Sequence, residues 1–384
     1  MSRGRAALGL LLLASCGKAE DSGAAEGAAP FDPEVFDPEA PGAYAAGRLT
    51  WSGEDLARAR ALTVELWYPA ASSVAPSPVT DLLADPGDRA VYQALLDAAP
   101  AGCPSEVLEA GLDTPVAEGG PWPVIALSHC YGCARFSTAT VAERLASHGF
   151  VVVAPDHAGD TLFDQQAEAG LPLDTDTLAL RVGDLGFALD LALSGALGVE
   201  VDPDRVGLMG HSFGAVTAGK LLQDRQAADS ELGAPQAALF VGAPPENPLL
   251  AGVDVASLQS PLLFLLLAED HSVGVLGNTL IASNFAEATA PARLVTMADA
   301  GHWSPSDLVG LTPGFLPGCG DDTRQEGGEP FSYLAPAAGK GLTGAVAVAF
   351  FAEALRGEAA GAEWLDGGAA AEASPSGTLS VTAR

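Results

Sequence analysis

Apolar residues in this chain follow two rhythms. Residues 44–52 and 62–69 alternate apolar and polar side chains at period two, which predicts two antiparallel strands joined by a turn at 55–60. Further on come short strand-like runs at 123–128, 151–154, 205–209, 237–241, 262–267 and 293–297, those at 151–154, 237–241 and 262–267 apolar throughout. Uninterrupted runs of that length suit strands covered on both faces. Between them, 137–148, 178–197 and 343–356 read as helices, and 178–197 carries apolar residues at three-and-four spacing, the pattern of a helix lying on a core. Strand and helix in alternation predict an α/β fold, with a mostly parallel sheet and helices on both faces. Residues 361–384 are small and polar and are expected to be a loosely ordered tail. Residues 70–121 are Pro-rich with a helical patch at 91–98, and read as an insertion at the sheet edge.

The most informative punctuation is Gly210-His211-Ser212-Phe213-Gly214, set between the strand-like run 205–209 and a helix-like run 215–223. A G-x-S-x-G sequence in that context makes a tight strand-to-helix turn, with Gly on both flanks because side chains there would clash. It exposes the Ser212 hydroxyl and aims a helix N-terminus at charge developing beside it. A serine hydroxyl needs a base, and His302 lies in Asp299-Ala300-Gly301-His302-Trp303, just past the last strand-like run. His271 follows directly on the acid candidates and falls on the wrong loop. The carboxylate that orients the imidazole should leave the preceding strand, where Glu269 and Asp270 stand side by side; Asp270 is chosen and Glu269 kept as the alternative. The loop after 237–241 reads Gly242-Ala243-Pro244-Pro245 and offers no carboxylate before Glu246. Two backbone N–H groups should bind the oxyanion, those of Phe213 and of Tyr131, whose ring is also placed to line the pocket.

Composition narrows the partners. A net charge of −31 excludes a basic stripe for nucleic acid, and no cofactor motif is present. His129, His157 and Asp160 gather near strand ends, yet no metal-ligand spacing accompanies them, and no metal is expected. The first residues are an address: Arg3 and Arg5 precede a short apolar stretch, 6–13, too short to span a bilayer. It ends Leu13-Ala14-Ser15-Cys16, which resembles a bacterial lipoprotein box. Residues 1–16 are therefore expected to be a signal peptide, Cys16 the lipidated residue, and 17–43 a flexible tether and irregular lead-in to a domain at 44–360. The expected location is the bacterial cell envelope, with the domain facing the periplasm or exterior. Export favours disulfides among Cys103, Cys130, Cys133 and Cys319, whose three possible pairings stay open, though one pinning the loop around Tyr131 is the economical choice.

Several motifs together resemble a known group: Ser128-His129-Cys130-Tyr131-Gly132, Leu145-Ala146-Ser147-His148-Gly149-Phe150, Ala154-Pro155-Asp156-His157, the serine turn, Ala300-Gly301-His302, and Glu65-Leu66-Trp67-Tyr68-Pro69. The chain resembles the α/β-hydrolase superfamily, and within it the dienelactone hydrolase-like group related to platelet-activating-factor acetylhydrolase and cutinase-like polyesterases. The resemblance covers roughly 44–356. It implies Ser212 as nucleophile, His302 as base, Asp270 as acid, and Tyr131 and Phe213 as oxyanion donors. Two positions depart from the group. Cys130 stands where the oxyanion loop usually carries its first Gly, and Ser212 replaces the Cys nucleophile of dienelactone hydrolases proper, which shifts the expectation to oxygen esters. The segment 243–260 is too short for a large cap domain. The expected activity is a serine esterase on small-molecule, lipid or polymer esters. The alternatives are a catalytically inactive binding protein on the same fold, or a hydrolase of amides or phospholipid acyl esters.

Overall fold

The computed structural model describes residues 36–228, 233–368, 370 and 379–384. The proposed signal peptide, Cys16 and all of the tether before residue 36 lie outside them.

Ten strands form one sheet. In chain order they are β1 (Ala45–Asp55), β2 (Arg60–Ala70), β3 (Gly111–Leu112), β4 (Trp122–Ser128), β5 (Val151–Pro155), β6 (Val201–His211), β7 (Pro235–Val241), β8 (Leu262–Leu267), β9 (Ala292–Met297) and β10 (Leu379–Ala383). Across the sheet the order is β10-β9-β8-β7-β6-β4-β5-β2-β1-β3. The six central strands, β5 to β9 on either side of β4, pair in parallel, while β2 and β10 run antiparallel to their inner neighbours.

The fully apolar runs are explained by the two layers that cover the sheet. Along β4, Ile125 and Leu127 point into a core shared with α2 (Ala139–Ser147) and α7 (Pro336–Arg356), and Val124 and Ala126 into one shared with α4 (Thr175–Leu193) and α5 (Phe213–Ala227). Val152 and Val153 of β5 divide the same way. Every side chain of these strands is therefore buried, as parallel strands covered on both faces require. Asp174 caps α4 by accepting the Thr177 N–H at 2.9 Å, and Gly357, at φ 68°, ends α7 in the left-handed conformation.

The sequence reading of the C-terminal tail needs correction. Residues 359–366 form α8 (Ala359–Asp366), which buries Trp364 and Leu365, and β10 adds an antiparallel edge strand with Val381 opposite Val295. Ala and Gly around them obscured both elements, because the few large apolar residues are too widely spaced to show a period. Further elements had no prediction, among them the short α3 (Leu162–Gln166), the helix α6 (Gly274–Glu287), and a hairpin pairing Asp321–Thr323 with Pro330–Ser332. The Pro-rich insertion holds α1 (Pro86–Ala98), and its last part supplies β3, which pairs with β1 at the sheet edge. No cap domain stands between β7 and β8; the connection contains one 3₁₀ turn, Val255–Ser257.

The connection from β4 runs to β5 on one side, whereas β6 lies on the other. The chain thus reverses its direction of travel across the sheet at β4. At such a reversal, loops leaving adjacent strands diverge and open a crevice at their carboxyl ends.

Candidate active site

Ser212 sits in that crevice. It follows β6 directly and has φ 57° and ψ −122°, a conformation that non-glycine residues rarely adopt. The flanking glycines permit the turn. A Cβ on Gly210 would fall 2.0 Å from the Gly214 carbonyl oxygen, and one on Gly214 would fall 2.0 Å from the Ser128 carbonyl oxygen. Both obstacles are backbone, so no side-chain movement relieves them. The turn is tied to the sheet by the Ser212 N–H, which donates to the Val241 carbonyl at 2.8 Å.

Ser212 Oγ lies 2.8 Å from His302 Nε2, and His302 Nδ1 lies 2.6 Å from Asp270 Oδ2. An ionised carboxylate only accepts, so Nδ1 carries the proton and Nε2 is left to accept from the serine. The structure thus brings together three residues from three loops, after β6, β8 and β9. Asp270 is fully buried, and its other oxygen accepts the N–H groups of Ser272 and Val273 at 2.9 and 3.0 Å. Glu269 points elsewhere. It binds Arg324 Nη1 and the Gln325 N–H, both at 2.9 Å, so it fastens the 321–332 hairpin to the loop after β8. Arg324 also pairs with Asp299, at the start of the His302 loop, at 2.5 Å.

His211 packs behind the imidazole, with ring centres 5.0 Å apart, and its Nε2 donates to the His302 carbonyl at 2.9 Å. Burial, with the neighbouring His302, pushes His211 down to about 3, so it acts as a neutral donor. His271 is exposed.

Tyr131 and Phe213 face one another across the crevice, with ring centres 6.3 Å apart. Among the described residues neither backbone N–H has a hydrogen-bond acceptor. The Tyr131 hydroxyl donates to the Leu171 carbonyl at 2.6 Å, which anchors the ring along one wall. Phe213 joins Leu178, Val216 and Leu250 in a small apolar cluster against it.

The loop carrying Tyr131 rests on a buried polar network. Ser128 Oγ donates to His157 Nε2 at 2.9 Å, and His157 Nδ1 donates to Asp184 Oδ2 at 3.3 Å. All three residues are fully buried. Burial, reinforced by Arg181, pushes His157 down to about 3. Burial alone would raise Asp184, but hydrogen bonds from His157 and Arg60 outweigh it and hold the carboxylate at about 2. His129 Nδ1 donates to the Cys130 carbonyl at 2.7 Å, and its Nε2 accepts the His157 N–H at 3.1 Å. The histidines that suggested a metal are thus held as neutral hydrogen-bonding struts. Arg181 and Asp184 were missed in the sequence. They sit three residues apart on the face of α4 that carries Leu178, Leu185 and Leu189, and two charges interrupting an apolar face were the available signal.

Two disulfides settle the pairing. Cys130 bonds Cys133 across the Tyr131 turn, and Cys103 bonds Cys319, linking the insertion to the loop that follows His302. Asp307 adds to the second tether by accepting from Ser105 Oγ and from both the N–H and the hydroxyl of Thr140.

A serine hydroxyl on a strained turn, bonded to an imidazole that is held by a buried carboxylate, with free N–H groups beside it, is equipped for nucleophilic acyl transfer. Fold and site together define an α/β-hydrolase. Residues 108–303, just over half of the chain, match the model of the dienelactone hydrolase family. The chain belongs to that family. It is 26% identical over 151 residues to a platelet-activating factor acetylhydrolase of Cavia porcellus, a match covering 30% of this chain and 35% of that protein. It is 34% identical over 111 residues to the cutinase est2 of Thermobifida alba, covering 28% and 32% respectively. The matches thus span about a third of the length of these relatives. A ferulic acid esterase structure from Streptomyces cinnamoneus superposes with a TM-score of 0.60 at 22% identity, covering 82% of this chain and 91% of that one.

Proposed function

We propose that this protein hydrolyses carboxylic esters through Ser212, His302 and Asp270. The carrying observation is the unbroken hydrogen-bonded chain from Ser212 Oγ through His302 to Asp270 Oδ2, at 2.8 and 2.6 Å. Ser212 attacks the ester carbonyl while His302 Nε2 takes its proton, and Asp270 stabilises the imidazolium that forms. The N–H groups of Tyr131 and Phe213 receive the negative charge of the tetrahedral intermediate. His302 then passes its proton to the leaving alcohol, and water, activated by the same imidazole, releases the acyl group from Ser212. The named activities of the relatives, an acetylhydrolase, a cutinase and a ferulic acid esterase, support esters of small molecules, lipids or polymers as substrates. The absence of a cap between β7 and β8 suits a bulky or extended ester. Attachment to the cell envelope through lipidated Cys16 belongs to the same reading and is supported by the residues preceding that cysteine.

The test is a p-nitrophenyl ester series of increasing acyl length with Ser212→Ala alongside. Wild type should turn over at least one ester, and the variant should lose ~10³-fold or more in kcat. An equally active variant would remove Ser212 from the chemistry.

A further inference from the structure

Arg181 lies directly beneath the crevice, is fully buried, and touches both sides of it. On the β4 side its guanidinium donates to the His129 carbonyl and, at 3.5 Å, to the Cys130 carbonyl, and it forms an ion pair with Asp160. The other oxygen of Asp160 accepts the Gly132 N–H at 2.8 Å. On the α5 side Arg181 Nε donates to Thr217 Oγ1 at 3.2 Å, and Thr217 donates in turn to the Phe213 carbonyl at 3.0 Å. The guanidinium carbon also stands 4.5 Å over the Phe213 ring.

In a trans peptide unit the C=O and the following N–H point in opposite directions. Holding the Cys130 carbonyl down into the buried network therefore turns the Tyr131 N–H the opposite way, out of that network. The neighbouring polar groups of the loop, the carbonyls of 129 and 130 and the N–H of 132, are all occupied from below. Among the described residues the Tyr131 N–H has no acceptor within the protein. Phe213 is held from the same cation through Thr217 and its ring. The rigid planar fork of arginine reaches these partners at once, which a lysine ammonium cannot do.

We propose that Arg181 is a positioning residue for ester hydrolysis, fixing the Tyr131 peptide group and bracing Phe213 through Thr217 and its ring, so that the two N–H groups stand at the spacing that receives the oxyanion. This rests on the reading of Ser212 as the nucleophile of an ester hydrolase. Asp160 neutralises the guanidinium, so Arg181 acts through geometry.

Oxyanion geometry has a specific readout. A thionoester places sulfur where the oxyanion would form, and sulfur accepts a much weaker hydrogen bond, so the ratio of oxo-ester to thionoester kcat/KM measures what the two N–H groups contribute. The experiment compares p-nitrophenyl butyrate with its thionoester in wild type, Arg181→Lys, the charge-balanced Arg181→Met/Asp160→Asn pair, and Thr217→Val. Arg181→Lys and the pair should lose ~10²-fold in kcat, the scale of losing one oxyanion donor. KM should stay within about threefold, and the oxo-to-thiono ratio should fall at least tenfold, by analogy with that donor loss. Thr217→Val should move the ratio in the same direction by a smaller factor. If both Arg181 variants fail to fold, Thr217→Val decides alone. An unchanged ratio in an active wild-type background, whatever happens to kcat, overturns the positioning role and leaves the esterase reading intact. A wild type that cleaves no ester overturns both.

Discussion

Glu143 ties the stability of this domain to pH. Its carboxyl lies in α2, 8% exposed, and accepts the Ala110 N–H of the insertion at 2.9 Å. Burial is the largest influence on it and raises it from 4.5 to about 7; the nearby Asp307 charge adds to the rise, while the N–H groups of Ala110 and Glu109 oppose it. Folding therefore favours the protonated form. In the unfolded chain the group ionises near 4.5, so the folded state loses stability relative to the unfolded one as pH climbs from there to about 7, and the whole cost stands above that. Linkage between those two values gives a cost of about 1 kcal/mol at pH 5 and about 3 kcal/mol at pH 8.5. Glu143→Gln keeps an acceptor for the Ala110 N–H and cannot ionise. Its stability relative to wild type should therefore improve by about 2 to 3 kcal/mol between pH 5 and pH 8.5. Urea unfolding of both proteins at the two pH values, with disulfides intact, measures this. The same stability difference at both pH values would refute the reasoning, because it would mean that Glu143 titrates alike in the folded and unfolded chains.

Two further substitutions probe the site and its frame. Asp270→Asn should cost ~10⁴-fold in kcat by releasing the His302 tautomer, whereas Glu269→Gln, which touches only the Arg324 hairpin, should cost less than about tenfold; the reverse order would move the acid to Glu269. Replacing Cys103 and Cys319 together by Ser opens a covalent loop of 216 residues, and urea unfolding should show a loss of about 3 to 5 kcal/mol; unchanged stability would mean that the tether does not constrain the unfolded chain.

Much of the architecture was legible because it depends on local rules. A run such as Val124-Ile125-Ala126-Leu127 has few homes other than a strand covered on both faces, and Gly210 and Gly214 flank Ser212 because backbone atoms occupy the space a side chain would fill. The crevice residues were legible by loop order, since Ser212, Asp270 and His302 each follow a strand-like run. What stayed hidden depends on long-range partners. Arg181 is a charged residue on a buried helix face, and only the fold shows the carbonyls of 129 and 130 waiting above it. Cys103 finds Cys319 across 216 positions, a separation that no spacing rule predicts. The choice between Glu269 and Asp270 turns on one Cα, and the hairpin that occupies Glu269 carried too few apolar residues to announce itself.

Ser128, His157 and Asp184 repeat, beneath the sheet's carboxyl edge, the residue types and bonding order of Ser212, His302 and Asp270. A search by composition and connectivity would return both sets as equals. Their difference is one of boundary conditions. Ser128 closes an ordinary extended strand and is sealed from water, so its proton has a single permanent address and no electrophile can arrive. Ser212 is thrust out of its strand by a left-handed backbone at the one place where neighbouring loops part. Reactivity in this fold is thus a property of where the wiring surfaces, and any template meant to recognise it must describe the opening as well as the wire.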